Sequence, residues 1–158
     1  MATYFQGAVK SGSTPSEPLG ATAVAASDFG YSTFAKSITL QAPAATTGAA
    51  NVDATAYLPA GCQIVGFYVD STVAWTASGT VGVTIGATAG GTEYVASLDG
   101  KTVTRGPTAA FTAAQLGAMA APTAVSGSVP VVARAAVSAA AAGYVGTTIV
   151  TILYVPKS

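Results

Sequence analysis

The sequence predicts an all-β fold, a jelly-roll-like β-sandwich of about eight short strands that follows an extended N-terminal arm. Short runs of alternating or β-branched apolar residues recur from residue 37 to the end of the chain. Turn-forming Gly, Pro, Ser and Asp separate these runs at short intervals. The 158 residues are enough for one domain of this kind, so we expect residues 1–35 to form the arm and residues 36–158 the sandwich.

The N-terminal segment differs in composition from the rest of the chain. Residues 11–20 (SGSTPSEPLG) combine Pro, Gly and Ser in a way that disfavours both a helix and a central strand. Alone in water, such a segment is expected to be flexible. Two interpretations stay open: an arm that becomes ordered against a neighbouring subunit, or a disordered tail. The low charge of the chain favours the arm, because it indicates a surface covered by neighbours.

Three segments at the start of the predicted sandwich have strand patterns. Residues 37–41 alternate polar and apolar side chains, and residues 52–58 form a second candidate that ends at a Pro-Ala-Gly turn. Residues 62–70 carry apolar groups on both alternating faces, so we expect this strand to be central in the sandwich. One predicted face holds Val65, Phe67 and Val69, and the other holds Ile64, Gly66 and Tyr68.

A glycine-rich turn lies between the next two predicted strands. Residues 81–86 alternate, with two valines and an isoleucine facing inward, and residues 92–98 form the following strand. The segment 86–91 (GATAGG) superficially resembles a phosphate-binding loop. It lacks the lysine and the following helix of that motif, so we interpret it as a hairpin turn.

The second half of the chain has a less regular pattern. Residues 111–117 are the one credible helical fragment, about two turns long, and Gly117 is the expected stop. Residues 123–125 and 129–134 are predicted strands. Proline cannot donate a hydrogen bond to a neighbouring strand, so Pro130 places the second of them at an edge or a bulge.

Two segments close the chain. Residues 135–143 are rich in alanine, which has the best helix propensity, but Gly143 and Gly146 interrupt the run. We therefore predict a loop followed by a strand rather than a helix. Residues 147–155 are almost entirely β-branched or aromatic, which is typical of a strand covered on both faces.

The chain carries very little charge. Charged residues make up 8% of it, where about a quarter is typical, and six basic residues balance six acidic ones. The mean hydropathy is +0.54. No apolar run approaches the roughly 20 residues of a spanning helix, and no basic cluster provides the electrostatic footprint of a nucleic-acid site. We therefore expect protein neighbours, with no membrane and no nucleic acid as partners.

The residues that most enzymes rely on are missing. The chain has no histidine and a single cysteine, Cys62, which excludes Ser-His-Asp sites, Cys-His sites and the usual zinc ligand sets within one chain. We expect Cys62 to be a buried hydrophobic residue. The carboxylates that a glycosidase would use are scattered over predicted turns and strand ends: Asp53, Asp70, Glu93 and Asp99. We predict no enzymatic activity, no catalytic residues, no cofactor and no metal.

Four aromatic residues offer the one alternative ligand site. Trp75 with Phe67, Tyr68 and Tyr94 would form a platform for stacking on a sugar ring. Packing of these rings in a core or an interface is the more common arrangement, and it is the one we expect. A carbohydrate-binding β-sandwich module stays as an alternative function.

The order of the motifs resembles that of tailed-phage proteins that decorate or cement capsids. A Gly/Ser-rich arm is followed by a Leu-Pro-Ala-Gly turn that leads into an apolar strand, then by a Val-x-Val strand and a β-branched C-terminal strand. In this sequence the motifs are Leu58-Pro59-Ala60-Gly61, Ile64 to Val69, Val81 to Gly86, and Ile149 to Val155. The resemblance covers the layout of residues 37–155. The alanine-rich stretch before Tyr144 departs from it.

This resemblance implies a structural role in a virion. It implies a jelly-roll-like sandwich, a homo-oligomer in which a trimer is favoured, and binding to the major capsid protein on the capsid surface. No catalytic residues come with it. Another virion component, such as a tail, head-fibre or portal-proximal protein, is the alternative within the same class.

Overall fold

A computed structural model describes residues 33–43, 48–103, 105–107, 110–140 and 143–156 of the chain. The predicted arm, residues 1–35, therefore lies outside the described residues up to residue 32. Thr33–Lys157 form one compact unit.

The described chain contains eight strands and one short helix. The strands are β1 (Phe34–Gln41), β2 (Gly48–Pro59), β3 (Gln63–Val73), β4 (Val81–Gly86), β5 (Val95–Asp99), β6 (Arg105–Pro107), β7 (Ser128–Ala140) and β8 (Thr147–Val155). The helix, α1 (Ala113–Ala120), lies between β6 and β7. The predicted number of strands is confirmed, although β1 begins three residues before the predicted start at residue 37.

The strands form two four-stranded antiparallel sheets. Sheet A has the order β1-β8-β3-β6, and sheet B has the order β2-β7-β4-β5. First and last strands pair, as do β2 with β7, β3 with β6, and β4 with β5. This is a long antiparallel hairpin wound around a barrel axis, which is the jelly-roll topology. The predicted jelly-roll-like β-sandwich is confirmed.

The core lies between the two sheets and follows the period of two expected for half-buried strands. Ile38 and Leu40 of β1 are buried, as predicted from the alternation of residues 37–41. The three predicted inward residues of β4 are also buried, and β4 continues through a turn into β5, so the hairpin interpretation of residues 86–91 is confirmed. The largest fully buried side chains are Trp75, Tyr94, Phe67, Leu40, Leu58, Ile64, Ile85 and Ile152.

A β-bulge in β3 corrects the predicted faces of that strand. The register to β8 shifts between Ile64 and Gly66, so Val65 is an extra residue in the ladder. Ile64 and Phe67 therefore both face the core, whereas Val65 is exposed. The expectation that Val65 shares a face with Phe67 is wrong, because alternation is preserved only between bulges. The central position of β3, between β8 and β6, is confirmed.

The alanine-rich stretch corrects a second prediction. Residues 135–140 are the continuation of strand β7 and not a loop. β7 pairs with β2 on one side and with β4 on the other, which supplies hydrogen-bond partners along both edges. Ala133 and Ala135 are completely buried, so this segment has the alternating burial of a central strand. Tertiary pairing outweighs the helix propensity of alanine here.

Pro130 is paired with β2 on one side and lies beyond the end of the ladder to β4 on the other. β7 is central in sheet B, so the prediction of an edge strand is wrong for β7 as a whole. The ladder between β4 and β7 nevertheless ends at the pair Gly86–Val132, two residues short of Pro130. The missing N–H of Pro130 therefore costs no bond to β4.

The helix and the turn after it are also corrected in detail. Thr112 caps α1: its hydroxyl accepts from the Gln115 N–H, and the Gln115 side chain accepts from the Thr112 N–H. Gly117 lies inside the helix and does not end it. Residues 123–125 are not a strand but lead into a tight Ser126-Gly127 turn, where both residues have positive φ as a type I′ turn requires.

Candidate binding surfaces

The carboxylates singled out by the sequence are dispersed, and each has a structural partner. Asp53 forms a two-point ion pair with Arg134 across β2 and β7, at 2.6 and 2.7 Å. Asp70 pairs with Arg105 at 3.2 Å. The Glu93 carboxylate accepts from the Ala87 N–H in the β4–β5 turn. Asp99 accepts from the Lys101 N–H and the Thr102 hydroxyl.

Hydrogen bonds lower the pKa of two of these carboxylates. The guanidinium of Arg134, which donates to Asp53, holds the pKa of that carboxyl below its ordinary value. Bonds from the Lys101 N–H and the Thr102 hydroxyl lower the pKa of Asp99. Within the described ranges no group of three or more His, Cys, Asp or Glu residues could hold a metal ion. These carboxylates therefore act as turn and strand connectors.

The aromatic platform predicted as the alternative ligand site does not form. Trp75 is 1% exposed, and its indole N–H donates to the Thr148 hydroxyl at 3.0 Å. That hydroxyl also lies 3.1 Å from the Ser71 hydroxyl, so a buried polar bridge holds the indole between the ends of β3 and β8. Phe67 and Tyr94 stack on each other in the core. Tyr68 is on the opposite, exposed face of β3, and the four rings cannot share a sugar.

Cys62 has the buried position expected for it. Its side chain is 2% exposed, and burial raises the pKa of the thiol. Burial likewise raises the pKa of the Tyr94 hydroxyl. No helix in the described part of the chain is long and apolar enough to cross a membrane.

One end of the sandwich, which we call the apolar end, carries several large apolar side chains that are exposed. It is the end at which β1 and β3 begin and β2 and β8 finish. Tyr57 is 60% exposed there, and the exposed ring of Phe34 stacks on Tyr154 with centroids 5.8 Å apart. The other large exposed members are Val65, Leu116 and Val125. Four further large apolar side chains are exposed elsewhere in the described part of the chain: Tyr68, Val73, Val103 and Val145. Exposed apolar side chains grouped at one end of a domain are typical of a protein contact surface.

The outer face of sheet A adds a second surface with little charge. On β1 and β8 its outward residues are Ala35, Ser37, Thr39, Gln41, Thr147, Ile149, Thr151 and Leu153. The Ser37 and Thr151 hydroxyls lie 3.3 Å apart across the two strands. Asp70 and Arg105 form an ion pair on the β3 and β6 part of the same face, and the Asp53–Arg134 pair lies on the outer face of sheet B. The uncharged part of the sheet A face, formed by β1 and β8, is suited to packing against protein.

Among the residues that the structure describes, two long edges on one side of the sandwich have no strand partner. β1 and β2 are the edge strands of sheets A and B on that side, with 8 and 12 residues. The opposite edges are short, with 3 residues in β6 and 5 in β5. Lys36 of β1 reaches β2, where its ammonium group donates to the Tyr57 carbonyl at 2.9 Å. An edge strand exposes unpaired backbone groups that can pair with another chain.

Only part of these surfaces could be predicted from the sequence. Tyr57 alternates with the buried Ala56 and Leu58, so its outward orientation follows from the period of two. Leu116 and Val125 lie in a helix and a turn whose orientation depends on the tertiary fold. No local pattern marks them as exposed.

The fold and its surfaces define a jelly-roll sandwich whose polar residues connect strands and whose apolar residues extend to the surface. No protein-family model matches the chain, and no curated protein matches it. Among solved structures, the chain is similar to a chain of the cyanophage Pam1 capsid asymmetric unit, with a TM-score of 0.50 and 20% identity. The match covers 91% of this chain and 100% of that one. At this identity the likeness shows a shared fold.

Proposed function

We propose that this protein is a non-enzymatic structural component of a phage virion. In this proposal it decorates or cements the capsid surface by bridging major capsid protein subunits. The protein acts as a homo-oligomer, with a trimer as the favoured form. Residues 1–35 serve as an extended arm that lies across a neighbouring subunit.

The apolar end is the observation that carries the proposal. Its exposed side chains are large and uncharged, and they include two aromatic rings, Phe34 and Tyr57. Burial of apolar surface contributes about 25 cal/mol per Å² before the costs of association. Repeated over many equivalent positions of a shell, contacts of modest strength add up through avidity.

Two further features support the same role. The likeness in fold is to a chain from a phage capsid, and the 8% content of charged residues suits a chain that is covered by neighbours. The four carboxylates described above accept hydrogen bonds within turns or pair with arginines on neighbouring strands. The indole that a sugar-binding module would present is buried, so the carbohydrate alternative has no exposed Trp75 to use.

Copy number in purified particles tests the proposal. The chain and the major capsid protein are quantified by mass spectrometry in gradient-purified virions of the phage that encodes the chain. We expect copies in a fixed ratio of order one to the major capsid protein. A few copies per particle would indicate a vertex, tail or fibre position instead. Absence from the particles would overturn the virion role altogether.

Removal of residues 1–32, the part of the arm that precedes β1, leaves Phe34 of the apolar end in place and so tests the arm separately. We expect the shortened chain to fold, with the circular dichroism of a β-sandwich, but to lose binding to capsids that lack the native protein. The matched control is Tyr57→Ser in the full-length chain, which alters the apolar end and leaves the arm intact. Unchanged capsid binding by the shortened chain would rule out the arm as a contact element.

A further inference from the structure

The free edge of β2 has the geometry of a self-pairing strand. We propose that β2 of one copy pairs antiparallel with β2 of a second copy about a two-fold axis, so that two B sheets join into one continuous sheet. The inference concerns contact between copies of this chain, and it holds whether or not the chain binds a capsid.

The direction of the backbone groups is the first step. In an antiparallel strand, the N–H and C=O of one residue point to the same side, and successive residues alternate. Tyr57 lies opposite Pro130, which has no N–H to donate, and the Tyr57 carbonyl accepts from the Lys36 ammonium instead. The backbone groups of Tyr57 therefore point away from β7. By alternation the same holds for Asn51, Asp53 and Thr55.

The edge is long and lightly protected. Natural edge strands are usually kept apart by charges, prolines or short length. Here the edge strand has 12 residues, and Pro59 stands only at its end. Among the described residues, Lys36 is the one side chain that bonds to the backbone along this edge. A carbonyl oxygen has two lone pairs, so Tyr57 can accept from Lys36 and from a second strand together.

The side chains of β2 favour one register between the two copies of the strand. A two-fold axis at Asp53 would place two carboxylates directly opposite each other, which is unfavourable. An axis at Thr55 would place Pro59 against Asn51 and lose a donor. An axis at Ala54 avoids both: Asp53 then faces Thr55 of the second copy, and Asn51 faces its Tyr57. The four residues of each copy whose backbone groups point to the edge then exchange about eight backbone hydrogen bonds with those of the other copy. These residues are Asn51, Asp53, Thr55 and Tyr57.

This register also suits the chemistry of both faces. On the outer face, the Thr55 hydroxyl can donate to the Asp53 carboxylate of the second copy, while Arg134 continues to bind that carboxylate. On the inner face, Ala54 meets Ala54, and Val52 meets Ala56. These small apolar residues already pack against the core, so the new contact extends it. Because the strand complements itself, a second copy is the occupant that the edge fits.

A two-fold contact has a consequence for assembly. It joins copies in pairs, so it doubles whatever oligomer forms through other surfaces. A monomer would become a dimer, and a trimer would become a hexamer. In a shell it would link one oligomer to the next.

A proline substitution tests the edge without touching the intrachain ladder. Thr55→Pro removes an N–H that points away from β7 toward the edge. The backbone bonds from β2 to β7 come from the residues before and after it. The masses of the native and variant proteins are measured by light scattering of the purified 15.3 kDa chain at up to about 1 mM. We expect the largest species of the variant to have half the mass of the largest species of the native protein. Thr55→Val keeps the N–H and should leave the mass unchanged. A native protein without the doubled species, or a doubled species that persists in a folded Thr55→Pro variant, would overturn the proposal.

Charge at the same position tests the register and does not depend on proline being tolerated. Thr55→Asp places a second carboxylate opposite Asp53 of the other copy, and Thr55→Lys places an ammonium there. The two-fold axis repeats this contact twice, so we expect the dissociation constant of the pair to rise about two- to thirtyfold for Asp and to fall by a similar factor for Lys. Equal effects of the two substitutions, or effects of the opposite sign, would contradict this register.

Discussion

Strands β7 and β8 hold equivalent positions in the two sheets but have very different sequences. Each is an inner strand with antiparallel neighbours on both sides, β2 and β4 for β7, and β1 and β3 for β8. β8 (TTIVTILYV) is β-branched or aromatic at nearly every position, whereas β7 (SVPVVARAAVSAA) contains five alanines. In β8 the local preference and the tertiary position agree. In β7 the position overrides the preference of alanine for helix, because pairing on both edges satisfies the backbone.

The small side chains of β7 have a use in the core. Ala133 and Ala135 leave volume between the sheets. Three aromatic residues from the connections are buried in the same core: Trp75 after β3, Tyr94 before β5 and Tyr144 before β8. A close-packed interior needs small residues beside such rings. For Trp75 these are Gly100 and Gly146, where a Cβ atom would meet the indole. β8 therefore contributes large side chains to the core, and the alanines of β7 contribute small ones.

The largest expected effect comes from removing volume from β8. Ile152 is fully buried, so Ile152→Ala deletes apolar contacts and leaves a cavity. We expect a loss of about 2–5 kcal/mol in the free energy of unfolding, measured by urea denaturation. Leu153→Ala, on the half-buried outer face of the same strand, is the matched control and should cost clearly less. Equal losses would mean that the two faces of β8 are equally important.

The next effect comes from adding volume to β7. Ala135 is fully buried and lies opposite Val52 and Val83 in the paired strands, so Ala135→Leu forces packed neighbours to move. We expect a loss of about 1–3 kcal/mol in the free energy of unfolding. Ala136→Leu puts the same side chain on the outer face, where we expect a change within about 0.5 kcal/mol. If Ala135→Leu were neutral, the space beside β7 would be unfilled and the proposed complementarity of the two strands would be wrong.

The same contrast explains what the sequence could predict. The alternation of residues 37–41 and 81–86 and the β-branched run of β8 identified three strands, because each has a period or propensity that matches its environment. The loop predicted within residues 135–143 is wrong for residues 135–140, because their pairing partners are about 50 to 90 residues away in the chain. The bulge at Val65 and the helix passing through Gly117 failed because local patterns do not record register shifts or capping strength.

The candidate sites also divide into features that the sequence predicts and features that depend on the tertiary fold. The absence of histidine and the single cysteine were enough to set aside the common catalytic sites. The burial of Trp75 was not readable from its sequence neighbours, since it depends on Thr148 in a strand 73 residues away. The β2 edge was not visible either, because edge positions are a property of strand order. Strand order emerges only when the whole hairpin winds into two sheets.

The smallest effect concerns the ion pair that ties β7 to β2. Arg134 lowers the pKa of Asp53 below the value of about 3.9 that an aspartate has in an unfolded chain. The folded state therefore binds this proton less readily, and the pair stabilises the fold fully above that unfolded pKa. The contribution is lost as the pH falls through the lowered pKa of the folded state. Both side chains are partly exposed, so we expect less than about 1 kcal/mol.

A double-mutant cycle isolates this contribution. Asp53→Asn and Arg134→Gln are each measured by urea denaturation at neutral pH and at a pH below the folded pKa of Asp53. At neutral pH the double variant should lose less stability than the two single losses added together, because both remove the same interaction. At the acidic pH the losses should become additive. Additive losses at neutral pH would show that β7 is joined to β2 by the backbone ladder alone, and that Arg134 contributes nothing to holding the alanine-rich strand in place.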